Sequence, residues 1–245
     1  EMARRLAHEI KNPLTPIQLA AERIRHKYLK QFDDEQARVL ERGIHTIIQQ
    51  VQAMKEMVDA FNEYARPPRL QLAPLELNEF VTEVLYLYRD YPAGVEIKLE
   101  LTQESLRINA DKGRLRQLLH NLVKNAIEAI RDGHGSTLWI DTHRQHVTGA
   151  DCVELSVRDD GPGFPDSILT TAFEPYVTTK PKGTGLGLAI VKKIVEEHGG
   201  WIQLEAPAEG GARVVIRLPL LNDGVEPPVP PAVSAAPLNT AKEAG

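Results

Sequence analysis

The residues with the clearest chemical potential lie near the start of the chain, in the stretch Ala7-His8-Glu9-Ile10-Lys11-Asn12-Pro13-Leu14-Thr15. The His8 imidazole is followed directly by the Glu9 carboxylate and, one helical turn later, by Asn12 on the same face. A carboxylate that takes the proton from one ring nitrogen leaves the other nitrogen able to attack. His8 is therefore a candidate nucleophile, with Glu9 as its base.

An ordinary histidine on a solvated helix face is the alternative interpretation of His8. Apolar residues recur at helical spacing around it, namely Leu6, Ile10, Leu14, Ile17, Ala21, Ile24 and Tyr28. At about 100° per residue, His8 falls roughly 160° from the centre of this stripe, which we expect to be buried. A zinc-protease motif does not fit, because Asn12 stands where its second histidine would be.

A second group of residues could hold an ion. Asn121 and Asn125 lie one turn apart on a leucine-rich predicted helix, so both amides share one face. Buried amides are costly unless they bind something, and Mg²⁺ with bound phosphates would satisfy them. Two surface amides are the alternative when this helix is considered alone.

Two glycine clusters follow. Asp159-Asp160-Gly161-Pro162-Gly163 closes a predicted strand and suits a tight turn that brings backbone close to a ligand. Gly183-Thr184-Gly185-Leu186-Gly187-Leu188 leads into a predicted helix, whose N-terminal N–H groups favour phosphate. The second cluster is neither a Walker loop nor a Rossmann fingerprint, and a flexible loop is its alternative interpretation.

Two long helices are predicted to position His8. Residues 1–30 form the first, kinked near Pro13, and residues 35–64 form the second after a break at Phe32-Asp33-Asp34. The second helix has the four-and-three spacing of a coiled-coil seam, in Leu40, Ile44, Ile47, Val51, Met54, Val58 and Phe61. One hairpin cannot cover its own apolar faces, so residues 1–65 are predicted to close a four-helix bundle as a homodimer. A monomeric hairpin packed on the next domain is the alternative.

The rest of the chain is predicted to form a linker, a domain of mixed helices and strands, and a tail. The Pro67-Pro68 pair marks a linker at 66–70, and a Pro/Ala-rich tail at 222–245 is expected to be disordered. Between them, residues 71–221 alternate helices and strands without a regular βαβ rhythm, which predicts an α+β domain with helices on one face of a mixed sheet. The predicted helices are 78–88 (capped by Asn78), 112–131 and 186–198, and the strands are 95–101, 106–109, 137–142, 152–158, 201–206 and 212–218.

Composition narrows the possible functions. The 245 residues suffice for one large or two ordinary domains, and a net charge of −5 gives no electrostatic case for binding nucleic acid. The single cysteine, Cys152, excludes an internal disulfide framework and suits a reducing cytosol. No apolar run approaches the roughly 18 residues of a membrane span, so these residues are expected to make no membrane contact. Because Glu1 is not methionine, we expect a fragment of a longer protein.

Taken together, the motifs resemble one family. Asn121 with Asn125, Asp159-x-Gly161-x-Gly163, Phe173-Glu174-Pro175-Tyr176 and Gly183-x-Gly185-x-Gly187 resemble, in order, the N, G1, F and G2 boxes of sensor histidine kinases. The stretch around His8 resembles their H box, and the resemblance covers roughly residues 1–220. The run from Lys11 to Arg23 is most similar to nitrogen-regulation kinases of the NtrY type.

The resemblance implies a dimerisation and phosphotransfer hairpin at 1–65, followed at 71–221 by a Bergerat-type α/β sandwich that binds ATP. It implies that His8 accepts a phosphoryl group and that Glu9 deprotonates it. Asn12 would orient water for dephosphorylating the partner protein.

In the ATP-binding domain the resemblance implies that Asn125 coordinates Mg²⁺ beside Asn121 and that Asp159 accepts the adenine amino group. The other implied nucleotide-binding residues are Gly161 and Gly163, which make room for the base, and Lys180, Lys182, Gly183, Thr184, Gly185, Leu186 and Gly187 in a mobile lid over the phosphates. Glu128 departs from the pattern of the family, in which some members carry a basic residue three positions after the Mg²⁺ asparagine. Phosphate charge must then be met elsewhere, by Lys124 or the lid lysines.

The implied partner is the aspartate of a response-regulator receiver domain, NtrX-like if the subfamily holds, with phosphatase activity toward it and a nitrogen-related signal. The implied location is the cytoplasmic part of a sensor anchored in a bacterial inner membrane. A chaperone or DNA-repair ATPase with the same nucleotide fold and a non-catalytic dimeric scaffold are the alternatives. The H box argues against the first, and the intact Asn125 and Asp159 argue against the second.

Overall fold

The computed structural model describes residues 2–65, 70–88, 94–133, 135–147, 150–180 and 183–221. Most of the predicted linker at 66–70, the predicted tail at 222–245 and Lys182 lie outside these residues.

The chain begins with two long helices, as predicted. Helix α1 spans Met2–Tyr28 and continues without a break through Pro13 and Pro16, and a short 3-10 turn, Leu29–Gln31, ends it. Helix α2 spans Asp34–Ala65. The predicted break between them is confirmed, because Asp33 Oδ1 accepts hydrogen bonds from the N–H groups of Glu35 (3.1 Å) and Gln36 (2.8 Å) and so caps α2.

Burial divides the apolar residues of the hairpin into two lines. One line, buried between α1 and α2, consists of Ala7, Leu14 and Ala21 together with Ile44, Val51 and Val58. The other line stays exposed in the single chain and consists of Ile17, Ile24, Tyr28, Ile47, Met54 and Met57. For the single chain, the expectation of one buried stripe on α1 is therefore wrong at Ile17, Ile24 and Tyr28. Two helices can cover only the line that faces the other helix.

The second part of the chain is an α+β sandwich, as predicted. Its elements are β1 (Ala73–Glu76), α3 (Leu77–Tyr86), β2 (Glu96–Leu101), β3 (Arg107–Ala110), α4 (Lys112–Asp132), β4 (Thr137–Val147), β5 (Ala150–Asp159), α5 (Gly187–Glu197), β6 (Trp201–Glu205) and β7 (Ala212–Pro219). The main sheet has the order β2-β4-β5-β7-β6, with β2 parallel to β4 and the other pairs antiparallel. Apolar residues of α3, α4 and α5 share one core with this sheet.

Strand β1 was not predicted from the sequence. It pairs antiparallel with β3, with Leu75 opposite Ile108, in a separate two-stranded sheet. Asn78 was predicted to cap α3 but lies inside the helix. Its amide instead donates to the Thr102 carbonyl (2.9 Å) and accepts from the Thr142 hydroxyl (2.7 Å). Both differences depend on residues distant in sequence, which a local pattern cannot contain.

Helix α4 is tightly fixed at its start. Asp111 Oδ1 accepts from the N–H groups of Gly113 (2.9 Å) and Arg114 (3.0 Å), and its Oδ2 accepts from Gln71 N–H (2.9 Å). Burial alone would raise the Asp111 pKa, but these three hydrogen bonds outweigh it and hold that pKa below its ordinary value. Arg114 also pairs with Glu197 at 2.7 Å, which joins α4 to α5.

The hairpin meets the sandwich near the end of α2. Ala60 and Phe61 pack against the core that α4 and α5 share with the sheet, and α2 contacts α5 directly. An ion pair between Lys11 and Asp59 places the predicted H box beside this same end of α2. The stretch around His8 is therefore at the end of the hairpin that touches the sandwich.

Replacing the Asp111 cap tests how strongly the sequence fixes α4. Asp111→Ala removes three hydrogen bonds and is expected to lower the free energy of unfolding at neutral pH by about 1–2 kcal/mol. Asp111→Asn keeps an oxygen for the α4 N–H groups but loses the Gln71 bond, so it should lose less. Because the native pKa is depressed, the wild-type contribution is present above the unfolded pKa and is lost as pH falls through the native pKa. Urea unfolding at neutral pH and at pH values below the native pKa measures both the loss of stability and its pH dependence. Equal stability of Asp111→Ala and wild type at neutral pH would contradict the prediction.

Candidate functional site

The two asparagines of α4 lie where the resemblance expects a nucleotide. The apolar face of α4 is buried, and Asn121 and Asn125 lie beside it at partly buried positions. In the part of the chain that the structure describes, Asn121 Nδ2 is buried without a hydrogen-bond partner. Such an orphaned donor costs about 1–3 kcal/mol, which a ligand with an acceptor group would recover. The surroundings of these amides therefore fit a bound polar ligand.

Asp159 ends β5 and is 7% exposed. Its Oδ1 accepts the Gly161 N–H at 2.9 Å. Burial raises the Asp159 pKa to about 6, although hydrogen bonds from the Gly161 and Ala212 N–H groups oppose this shift. A buried carboxylate with a raised pKa is well placed to accept a hydrogen bond from a ligand amino group.

The turn after Asp159 packs closely against its neighbours. Asp160 Oδ1 accepts from the N–H groups of Ser136 (2.8 Å) and Thr137 (2.9 Å), which ties the turn to the start of β4. A Cβ on Gly161 would lie 3.0 Å from the carbonyl carbon of Ala129 in α4. Gly161 therefore lets the turn approach the helix that carries the asparagines, and the close contact is with protein backbone.

Gly163 and Gly185 have left-handed backbones, with φ of +74° and +66°. A Cβ on Gly163 would lie 2.6 Å from the Gly211 carbonyl oxygen. At Gly185 a Cβ would meet the Tyr176 backbone, whose N–H donates to the Gly185 carbonyl at 2.9 Å. Tyr176 itself has φ +69°, a strained value for a non-glycine residue. A backbone hydrogen bond between Tyr176 and Gly185 thus ties the predicted lid to the segment that precedes it.

The lid carries one described lysine toward α4. Lys180 Nζ lies 2.6 Å from Glu128 Oε2 and 3.4 Å from the Asn125 carbonyl oxygen. Glu128 also lies 3.9 Å from Lys124 Nζ. The sequence identified Glu128 as a departure from relatives but gave no sign of its partner.

The start of α5 faces the same place. Gly187 is its first residue, and a Cβ there would lie 3.5 Å from Asn125 Nδ2. Leu186 is fully buried in the core, and the Thr184 hydroxyl accepts the Leu186 N–H at 3.4 Å. Leu186 therefore acts through packing, while Gly187 leaves open the space beside Asn125. Helix α4, the lid and the α5 N-terminus converge on Asn125.

These groups can hold a phosphorylated ligand and a hard metal ion. The Asn125 side-chain oxygen is the kind of ligand that Mg²⁺ takes, and Mg²⁺ is commonly completed by water and substrate phosphates. Among the described residues there is no cluster of three His, Cys, Asp or Glu side chains that would hold a metal alone.

The H-box residues lie on α1. His8 is part of this helix, but its side chain lies outside the described structure. Glu9 and Asn12 are exposed, whereas Ala7 and Leu14 are buried against α2. The predicted two sites are therefore on different elements, with the α1 residues on the hairpin and the asparagine site in the sandwich.

Comparison with known proteins agrees with this division. Residues 1–69 match the family model described as the His Kinase A (phospho-acceptor) domain, and residues 110–222 match the model described as histidine kinase-, DNA gyrase B-, and HSP90-like ATPase. Nitrogen regulation protein NtrY of Azorhizobium caulinodans is 38% identical over 233 residues, which is 93% of this chain and 29% of that protein. The chain thus spans under a third of that relative. None of the described helices is long and apolar enough to cross a membrane.

Solved structures show the same architecture. Full-length ShkA in complex with AMPPNP has a TM-score of 0.67 and 26% identity, covering 90% of this chain and 46% of ShkA. Histidine kinase ThkA in complex with response regulator protein TrrA has a TM-score of 0.64 and 31% identity, covering 90% of this chain and 61% of that one. With both family models matched in order over most of its length, the chain belongs to the sensor histidine kinases of two-component systems, and NtrY is among the relatives that it resembles.

Proposed function

We propose that the chain is an ATP-dependent protein-histidine kinase that phosphorylates its own His8 and passes the phosphoryl group to an aspartate of a response-regulator receiver domain. The observation that carries this proposal is the convergence of Asn125, Gly187 and Lys180 on one site, in a chain whose hairpin bears the H-box residues. Its domains are the phosphotransfer hairpin 1–65, the linker 66–70, the ATP-binding domain 71–221 and the tail 222–245.

The nucleotide is held by groups with separate tasks. Asp159 accepts the adenine amino group, and Asn121 and Asn125 face the phosphates, with Asn125 as the protein ligand of Mg²⁺. When bound, Mg²⁺ neutralises charge on the phosphates. Lys180 and Lys182 add positive charge, and Gly183, Thr184, Gly185 and Gly187 form the part of the lid that closes over the phosphates. Gly161 and Gly163 make room for the base by letting the turn after Asp159 pack closely against neighbouring backbone.

The transfer step joins the two sites. An imidazole nitrogen of His8 attacks the γ-phosphorus, an N–P bond forms, the P–O bond to ADP breaks, and Glu9 takes the ring proton. The contact of Ala60 and Phe61 with the sandwich keeps the H-box end of the hairpin near the ATP-binding domain. Alignment of the nucleophile with the phosphate then requires movement about the linker.

The finer assignments rest on similarity to NtrY. We propose nitrogen-related signalling, an NtrX-like receiver partner, and a cytoplasmic position within a longer sensor anchored in the inner membrane. Asn12 would orient a water that dephosphorylates the partner. Comparing transfer rates across receiver domains identifies the partner, and an Asn12→Ala variant that removes phosphate from it at the wild-type rate would contradict the phosphatase role.

His8→Ala tests the kinase assignment. With γ-labelled ATP and Mg²⁺, wild type is expected to gain an acid-labile, base-stable label on the peptide that contains His8, and His8→Ala should gain none while still binding ATP. Glu9→Gln should slow labelling by about 10²–10⁴-fold, because general-base catalysis contributes that much. Steady ATP hydrolysis without label on His8 would instead indicate an ATPase, and lost nucleotide affinity in His8→Ala would contradict the two-site arrangement.

Asp159 predicts a pH dependence of adenine binding. Because its pKa is raised to about 6, the carboxylate that accepts the amino group is lost as pH falls below that value, and affinity for adenosine should fall with it. Asp159→Asn should weaken binding at high pH by about tenfold or more and remove the pH dependence. Calorimetry with adenosine is the measurement, since adenosine carries no phosphate that titrates near this range.

Asp160→Asn is the matched control for that experiment. Its side-chain oxygen can still accept the Ser136 and Thr137 N–H groups, so adenosine binding should remain pH-dependent. The midpoint should move to lower pH, because the Asp160 charge helps to raise the Asp159 pKa. An unchanged pH profile in Asp159→Asn would exclude Asp159 as the adenine acceptor.

The exposed apolar line of the hairpin predicts the homodimer. Ile47 is 46% exposed in the single chain and belongs to the predicted seam, whereas Val39 is 66% exposed and lies off the seam. Ile47→Glu buries a charge in the proposed four-helix bundle and should raise the dimer dissociation constant by about a hundredfold. Val39→Glu should leave the dissociation constant unchanged. Sedimentation analysis measures it, and equal effects of the two substitutions would favour a monomeric hairpin.

A further inference from the structure

The lid holds Lys180 in a defined turn. The Lys180 N–H donates to the Thr178 hydroxyl at 3.1 Å, and the Gly183 N–H donates to the Lys180 carbonyl at 3.0 Å. A Cβ on Gly183 would lie 3.1 Å from the Lys180 Cβ, so a larger residue would disturb this turn. The backbone of the lid therefore directs the Lys180 side chain toward α4.

Glu128 receives that side chain. Its Oε2 lies 2.6 Å from Lys180 Nζ, and both side chains are partly buried, with 31% exposure for Lys180 and 40% for Glu128. The same Nζ lies 3.4 Å from the carbonyl oxygen of Asn125. The Lys180 cation is thus beside the residue that would hold Mg²⁺, which is where nucleotide phosphates are expected.

A carboxylate and a phosphate offer the Lys180 ammonium the same kind of partner. Both are anions with oxygen acceptors, and an ammonium forms charge-assisted hydrogen bonds to either. A Glu128 carboxylate left unpaired would also repel the phosphates, because like charges at close range disfavour each other. A bound nucleotide phosphate would therefore draw on the same Lys180 ammonium that Glu128 pairs with.

We propose that Glu128 competes with the nucleotide phosphates for Lys180 and thereby lowers the affinity of the site for ATP. This inference rests on the proposed function, since it assumes that the asparagine site binds ATP. Glu128 is then an affinity-determining residue that acts through Lys180. Glu128 lies three positions after Asn125, so the positive group near that residue comes from the lid lysine.

Glu128→Gln in the full 245-residue chain tests the competition. With Mg²⁺ and a non-hydrolysable ATP analogue, the dissociation constant is expected to fall about two- to fivefold, the range set by a partly exposed ion pair. The dissociation constant for adenosine, which has no phosphate, should stay unchanged. The effect on the ATP analogue should shrink at high salt, because the charges are partly exposed.

Two further variants distinguish the effect of the Lys180–Glu128 ion pair on affinity from the effect of removing any negative charge near the site. Asp132→Asn removes one negative charge from the same helix, one turn beyond Glu128, and should leave the ATP-analogue affinity unchanged. Lys180→Met should weaken binding of the analogue, and Glu128→Gln added to Lys180→Met should change it by less than about twofold, because paired residues are not additive.

Each contrary result overturns the inference. Weaker analogue binding in Glu128→Gln would mean that Glu128 preorganises Lys180 for ATP. An equal gain for adenosine would indicate lid opening rather than competition for phosphate, and an undiminished gain in Lys180→Met would indicate simple repulsion. Labelling of His8 in the same variants tests the proposed kinase function separately from the proposed competition. An unchanged affinity in Glu128→Gln with normal labelling would refute the competition alone, whereas a wild-type chain that binds no analogue would refute both.

Discussion

Burial of one face of α4 on the mixed sheet is the constraint on which the nucleotide site depends. Eight apolar residues of this helix are buried at helical spacing, so the residues between them must lie along its flank. That flank carries Asn121, Asn125 and Glu128. The Asp111 cap and the Arg114–Glu197 ion pair hold the helix at its start. The packing that stabilises the domain thereby also places the groups that we propose to face the nucleotide.

Close backbone approach completes the site. Gly161 brings the turn after β5 against α4, and Gly185 lets the lid backbone approach Tyr176 closely. Side chains at these glycines would force the backbones apart, so the glycines are required by contacts within the protein even before a ligand binds. The left-handed Tyr176 is the one strained non-glycine backbone among the described residues. Strained backbone of this kind tends to occur at active sites and ligand-binding segments.

The hairpin carries the H-box residues on α1. Its buried line holds α1 and α2 together, while its exposed line offers apolar surface to a second copy. The Lys11–Asp59 ion pair and the packing of Ala60 and Phe61 bring the H-box end of this hairpin to the sandwich. Under the proposed function, the end of the hairpin that carries the H box therefore already contacts the domain that would supply the phosphoryl group.

The sequence by itself determined the helices, most strands and the identity of the motif residues, because periodicity, caps and glycine turns are local properties. It did not determine β1, which exists only through its pairing with β3, or the role of Asn78, whose partners come from distant strands. Only the tertiary structure decided that Asp159 is buried with a raised pKa. It also paired Lys180 with Glu128, 52 positions apart. These features arise from contacts between segments far apart in the chain, and such contacts leave no periodic signal in either segment.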